Sequence, residues 1–290
     1  MDKIRIVLNN NELIPRYSSP DARSRNKDSI VRYEDGSLKS IYLESISTIN
    51  TSIGTLTAEF ITFYPNQNIH RVFPVYGQIS GFWSEEEEKE LLAESVVKVG
   101  NRLYTGLFSC ICFYETGEVK SLTIWQGESM EVDTNYGKMK VRYGISFYKD
   151  GSIQSLEPEN PVIITQDTGI YIAYNPLAVG VTGDSNSLRF DREGRVSRLT
   201  TIATGIRCIP RNGEPEFILK AKLMTSPFDI TEEILIPVQI AFEEDGIVFT
   251  DSRKVEKRYS YKEYTLEAYE ESEYLSTMCS GDCSACKGCH

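Results

Sequence analysis

Apolar and polar residues alternate along most of the chain in short runs, each broken by a cluster of turn-forming residues before the alternation resumes. One pattern recurs. An apolar residue, a polar one and an aromatic are followed by turn-formers that usually include glycine, then by an apolar residue with another three places later. Val31–Ile41, Ile111–Leu122, Ile145–Leu156 and Leu188–Leu199 are clear copies. Weaker ones lie at Ile61–Val72, where Pro65-Asn66-Gln67-Asn68 replaces the glycine turn, and at Ile240–Val248, with Asp245-Gly246.

Alternate residues of a strand point to opposite faces, so Ile111 and Phe113 share one side while Cys112 takes the other. Glycine after Asp, Thr or Glu supplies the positive φ that a tight hairpin turn demands. Each copy therefore reads as a β-hairpin. A lone hairpin is marginal in water, so the copies must lie side by side and cover one another. The expected fold is all-β, an elongated antiparallel sheet of repeated hairpins. This motif resembles the aromatic-turn-glycine hairpins of the MORN family and of related antitoxin-like bacterial repeat proteins. The copies here begin 30 to 52 residues apart, wider than MORN units, and lack their second glycine pair. What the resemblance implies is a sheet that presents a surface to a protein partner, not a catalyst.

Between the repeats, one short helix is expected near 84–95. Ser84 caps it and Glu87 completes a capping box, while acidic residues crowd the first turn. Val96–Gly100 then reads as a strand. Phe82 and Trp83 are expected to anchor the helix to the sheet. Residues 1–250 form the hairpin repeat domain in this reading, 251–278 an acidic, tyrosine-rich linker or helix, and 279–290 a cysteine-rich tail.

The chain has 290 residues, 40% of them hydrophobic and 11% aromatic, enough to build a packed interior. With 42 acidic against 31 basic residues the formal charge is −11, which argues against nucleic acid or anionic membrane as partners. A local exception is the loop Arg16–Asp28, where Arg16, Arg23, Arg25 and Lys27 are read chiefly as a solvated surface, with phosphate contact as the alternative. No apolar run reaches membrane-spanning length, and Met1–Arg5 lack the features of a secretory signal. The expected location is the cytoplasm.

Catalytic motifs are scarce. Only His70 and His290 exist, too few for multi-histidine metal sites, and no phosphate loop, dinucleotide turn or nucleophile elbow is present. Of seven cysteines, Cys110, Cys112 and Cys208 sit in strand-like stretches where a reduced thiol serves as a small hydrophobe. Cys279, Cys283, Cys286 and Cys289 fall within eleven residues as Cys-x3-Cys-x2-Cys-x2-Cys. Small and glycine-containing spacers let a backbone wrap a central object, and ferredoxin-type loops use Cys-x2-Cys-x2-Cys spacing. An iron–sulfur cluster, 4Fe–4S in preference, is the expected cofactor on these four residues. Zinc, with His290 as a replacement ligand, is the alternative, and a thiol tail that forms disulfides or takes up metal adventitiously is a third. The leading functional expectation is a non-enzymatic accessory or interaction protein with a metal-binding tail. The alternatives are an enzyme, carbohydrate-active or hydrolytic, with its site near Trp83, Trp125 and Tyr76, and an interaction module without metal.

Overall fold

The computed structural model describes residues 4–18, 21–24, 27–225, 231 and 233–271. The chain is nearly all β, with large antiparallel sheets of hairpins, as the alternation predicts. Among the described residues no helix is long and apolar enough to cross a membrane. The chain divides into two compact units. The first contains residues up to 130 with 142–154 and 180–185, and the second 131–141, 155–179 and the chain from 186 onward.

In the first unit β1 (Ile6–Leu8) and β2 (Asn11–Leu13) pair as a small hairpin. The main strands follow as β3 (Ile30–Arg32), β4 (Leu38–Thr51), β5 (Gly54–Phe63) and β6 (Ile69–Phe73). Helix α1 (Glu85–Glu90) leads to the hairpin of β7 (Ser95–Val99) and β8 (Arg102–Gly106), then to β9 (Phe108–Phe113) and β10 (Val119–Ile124). Strands β11 (Ser129–Thr134), β12 (Gly137–Phe147) and β13 (Ile153–Pro158) each have residues in both units. The sheet order here is β3-β4-β5-β6-β9-β10-β12.

Register makes the physical sense of the repeat visible. Ile41, Ile61, Val72, Ile111, Leu122 and Ile145 face one another in a row across six strands, all buried. Each such side chain contributes about 1.5–3 kcal/mol relative to exposure. One residue along, and therefore on the opposite face, runs a second row of Ser40, Thr62, Arg71, Cys112, Ser121 and Ser146. The period of two thus sorts the repeat into an apolar face and a polar one.

The turns are built alike. In each of five copies Tyr33, Tyr64, Tyr114, Tyr148 or Asp191 opens the turn, and the residue three places on takes positive φ: Gly36 (84°), Gln67 (68°), Gly117 (102°), Gly151 (86°) and Gly194 (78°). Its N–H donates to the carbonyl of the opening residue, from Gly36 to Tyr33 (3.0 Å) through Gly194 to Asp191 (3.1 Å). A slip in register beside the turn marks a bulge, as in hairpins whose type I turn ends on a left-handed residue. At Gly151 the glycine also meets a second demand, because a Cβ would lie 2.9 Å from the backbone of Gly100. Gln67 fills the same conformation without glycine, and its amide grips Leu38, accepting from N–H and donating to C=O at 2.9 Å each. The Ile240–Val248 copy is a hairpin of another kind, because Gly246 pairs directly with Glu243 across it.

Neighbouring hairpins are tied by their turn tyrosines. Tyr33 donates its hydroxyl to the carbonyl of Phe63 (2.8 Å), Tyr64 to that of Phe113 (2.9 Å) and Tyr114 to that of Phe147 (2.8 Å). The acceptor is always the phenylalanine just before the next turn tyrosine.

In the second unit β14 (Val162–Gln166) and β15 (Gly169–Ala173) precede β16 (Leu188–Phe190), β17 (Val196–Thr201), β18 (Thr204–Pro210) and β19 (Phe217–Leu219). Then come β20 (Lys222–Thr225), β21 (Glu233–Ile236), β22 (Val238–Glu243), β23 (Gly246–Thr250), β24 (Glu256–Ser260) and β25 (Tyr264–Glu270). One sheet runs β13-β16-β17-β22-β23-β24, a second β14-β15-β25-β18-β19, and β20 pairs with β21. Of the stretch 251–278 read as a linker or helix, the described part, 251–271, carries β24 and β25 instead, and the rest lies outside the described residues. Residues 264–270 are a central strand, since Leu266 is buried between Thr265 and Glu267, and the register from Thr204↔Glu270 to Pro210↔Tyr264 is complete. The many glutamates masked that alternation.

Helix α1 begins as expected. The Ser84 hydroxyl accepts from the Glu87 N–H (3.1 Å), and the Glu87 carboxylate accepts from the Ser84 N–H (2.7 Å). It ends at Glu90, short of 95, because Ser95–Val99 pairs with β8 instead.

Replacing Tyr114 by phenylalanine deletes one tie while keeping the ring. We expect a loss of about 1 kcal/mol in urea-unfolding stability with an unchanged m-value.

Candidate functional site

In the basic loop 16–28, Arg16, Arg23 and Lys27 are engaged with the body of the unit, and Arg25 lies outside the described residues. Arg16 donates to the Tyr42 hydroxyl (3.0 Å) and stacks over its ring, and Lys27 donates to the Tyr76 hydroxyl (2.7 Å) above the Phe60 and Tyr76 rings. Arg23 forks between two buried carboxylates. It reaches Glu88 through Nε (2.6 Å) and Nη2 (2.8 Å), and Glu59 through Nη1 and through Nη2 (2.6 Å). Glu59 is 4% exposed and Glu88 2%, and burying a charge is costly unless it is paired and hydrogen-bonded. Their remaining lone pairs accept from the Tyr76 N–H (2.5 Å), the Gly77 N–H (2.6 Å) and the Trp83 indole (2.7 Å). Burial alone would lower the pKa of Arg23, but the two glutamates outweigh it and raise it further. The phosphate-contact reading of this loop therefore finds Arg16, Arg23 and Lys27 already engaged within the unit.

The same cluster accounts for two of the three aromatics considered for an enzyme site. Tyr76 stacks on Phe60 (centroids 4.2 Å apart, planes 8°), and Trp83 is held by Glu88. Phe82, expected to anchor the helix, is 86% exposed. The indole hydrogen bond does the anchoring, and adjacent residues of an extended segment point opposite ways.

On the polar face of the sheet, Arg71 sits beside Cys110 (Nη1 to Sγ, 3.9 Å) and binds Asp184, which also accepts from Ser121. The segment 180–185 lies close upon the strands, since a Cβ on Gly183 would stand 2.2 Å from the Leu122 carbonyl. Burial would raise the Asp184 pKa, but the Ser121 hydroxyl and the Arg71 guanidinium outweigh it and hold the carboxyl below the usual range. His70 is half-buried against Tyr64 (4.4 Å between rings) rather than facing solvent, and burial lowers its pKa.

Cys110, Cys112 and Cys208 are buried free thiols. Burial pushes Cys110 up to about 12, Cys112 to about 11 and Cys208 to about 12, so all three stay protonated at neutral pH. Thiolate is the form that ligates metal, which leaves these positions poorly suited to it. Cys279, Cys283, Cys286, Cys289 and His290 lie outside the described residues. Among the described residues no group of three or more metal-ligating side chains converges.

Sequence reasoning missed a groove in the second unit, of about 380 Å³, bordered by β19, β20 and β24 with the turn before β24. Its apolar lining includes Ile218, Leu223 and Val255, each more than half exposed. Lys220, Lys222, Arg253 and Lys257 supply four positive charges against the single carboxylate of Asp251. Beside it Tyr264 meets Phe217 and Tyr259 edge to face and these two tilt against each other, with centroids 5.5–5.9 Å apart. The signal existed as scattered lysines and aliphatics in 217–225 and 249–259, but no local period connects them.

Comparison with family models, curated proteins and solved structures gives no match.

Two outcomes follow for this unit and for the thiols. Arg23→Met leaves two buried carboxylates facing one another and is expected to cost about 3–5 kcal/mol in denaturant unfolding. The thiols, at 9.0 when unperturbed, ionise in the unfolded chain before the folded one, so their contribution is intact below pH 9.0 and fades as pH rises toward about 12. Unfolding titrations across that window should show stability falling, and Cys208→Ala should flatten the slope.

Proposed function

We propose that this chain is a non-enzymatic cytoplasmic accessory protein. Its β-hairpin body, MORN-like in motif, engages a protein partner, and its C-terminal cysteines ligate an iron–sulfur cluster. The observation that carries the reading is the spacing Cys279-x3-Cys283-x2-Cys286-x2-Cys289. Support comes from the contrast with the body, whose three thiols are buried and held protonated. Four sulfurs separated by small residues satisfy the donor chemistry of a 4Fe–4S cluster, and the reducing cytoplasm keeps such thiols free to bind. Zinc is the metal that the same donors with His290 would take otherwise. A bound cluster would supply an electron-accepting or transferable inorganic centre; the chain's own part is to present four thiolates and exclude competing ligands.

The test is anaerobic purification of the full chain with iron, sulfide and zinc assays before and after reconstitution. Iron and sulfide in about equal, cluster-level amounts, lost in Cys283→Ser with Cys286→Ser, are expected. Protein without metal after reconstitution overturns the tail reading. Zinc without sulfide replaces the cluster by the mononuclear site.

A further inference from the structure

The groove of the second unit has an unusual combination of borders. Strand β24 is the outermost strand of one sheet, β19 is outermost in another, and β20 pairs only with β21 among the described residues. Outermost strands carry a row of backbone N–H and C=O groups without a sheet partner, which an extended chain can complete. Bare aliphatic side chains lie alongside: Ile218, Leu223 and Val255 are 52, 53 and 60% exposed.

Charge restricts the occupant further. Asp251 is committed to its own turn, accepting from the N–H groups of Arg253 (2.8 Å) and Val255 (2.9 Å). Lys220 is paired with Glu271 (3.2 Å), and Lys257 rests over the Tyr259 ring (5.3 Å). Lys222 and Arg253 make no side-chain ion pair among the described residues, in a chain of formal charge −11. An acidic segment is repelled by most of such a protein and attracted here, which gives orientation as well as affinity.

We propose that this groove is the docking site for an acidic, extended segment of a partner protein, alternating carboxylates with aliphatic side chains. The inference rests on the reading of the body as an interaction scaffold and names the partner's chemistry. The segment's carboxylates meet Lys222 and Arg253, its aliphatic side chains cover Leu223 and Val255, and its backbone extends an outermost strand.

A fluorescent peptide of about nine residues, alternating glutamate with leucine or valine, matches the run 217–225 in length. Its binding to the full chain is read by anisotropy, beside a counterpart with lysine for glutamate. Saturable binding of the acidic peptide, weakened roughly tenfold by the double variant Lys222→Glu with Arg253→Glu and by raising salt from about 50 to 300 mM, is expected. The exposed position of both residues leaves the fold intact, checked by an unchanged thermal midpoint. Leu223→Asp, which keeps the cations, should weaken it similarly. Equal binding of the lysine peptide, or indifference to both variants, overturns the proposal. A tenfold gain on Glu273→Lys with Leu275→Ser would also overturn it, by showing that the chain's own following segment is the occupant. Iron content of the same samples reports on the tail separately and should not change with the groove variants.

Discussion

Three tyrosine hydrogen bonds tie the repeated hairpins of the main sheet to one another. A turn that ends on a left-handed residue slips the register beside it, and the tyrosine that opens one turn donates its hydroxyl to the carbonyl of the phenylalanine just before the next turn tyrosine. The phenylalanine thus accepts from the preceding hairpin while the tyrosine beside it opens the next turn. This is why Phe-Tyr recurs at 63–64, 113–114 and 147–148. The apolar row behind it can be continuous only if every hairpin keeps this register, since a slip of one residue would exchange Ile111 with Cys112 and bring the polar row into the core. In the fifth copy Asp191 replaces the tyrosine, and the turn is held instead by Arg195 through its N–H (2.8 Å) and Nε (2.7 Å).

The buried charges of the first unit join irregular segments. Glu59 comes from a central strand, Glu88 from α1 and Arg23 from a loop, and the guanidinium is the one group that joins them. An apolar contact could pack these pieces together, but it would not fix their relative angle as a forked ion pair does. Peptide N–H groups of Tyr76 and Gly77 complete the acceptors, so the loop before the helix is threaded onto the same cluster.

The thiols divide along similar lines. Cys110, Cys112 and Cys208 belong to the packing of strands, and burial makes them poor nucleophiles and poor ligands. The terminal four are distinguished by sequence alone, through density and small neighbours. The groove of the second unit shows the opposite case, a site with no sequence motif, assembled from outermost strands that come from separate stretches of chain.

Local information sufficed wherever one residue's environment is set by its near neighbours. The period of two, the positive-φ turns, the capping box of Ser84 and Glu87 and the all-β class are of this kind, because each is a property of consecutive backbone units. It failed where long-range pairing decides. The strand at 264–270 looked like an acidic linker because its glutamates face outward on a strand whose partners, β15 and β18, lie far away in sequence. The engagement of Arg23 from the basic loop depended on Glu59 and Glu88, 36 and 65 residues away. The division into two units and the convergence of β19, β20 and β24 around one groove were likewise beyond any local pattern, since electrostatic pairing and sheet edges are made by residues that meet only when the chain has folded.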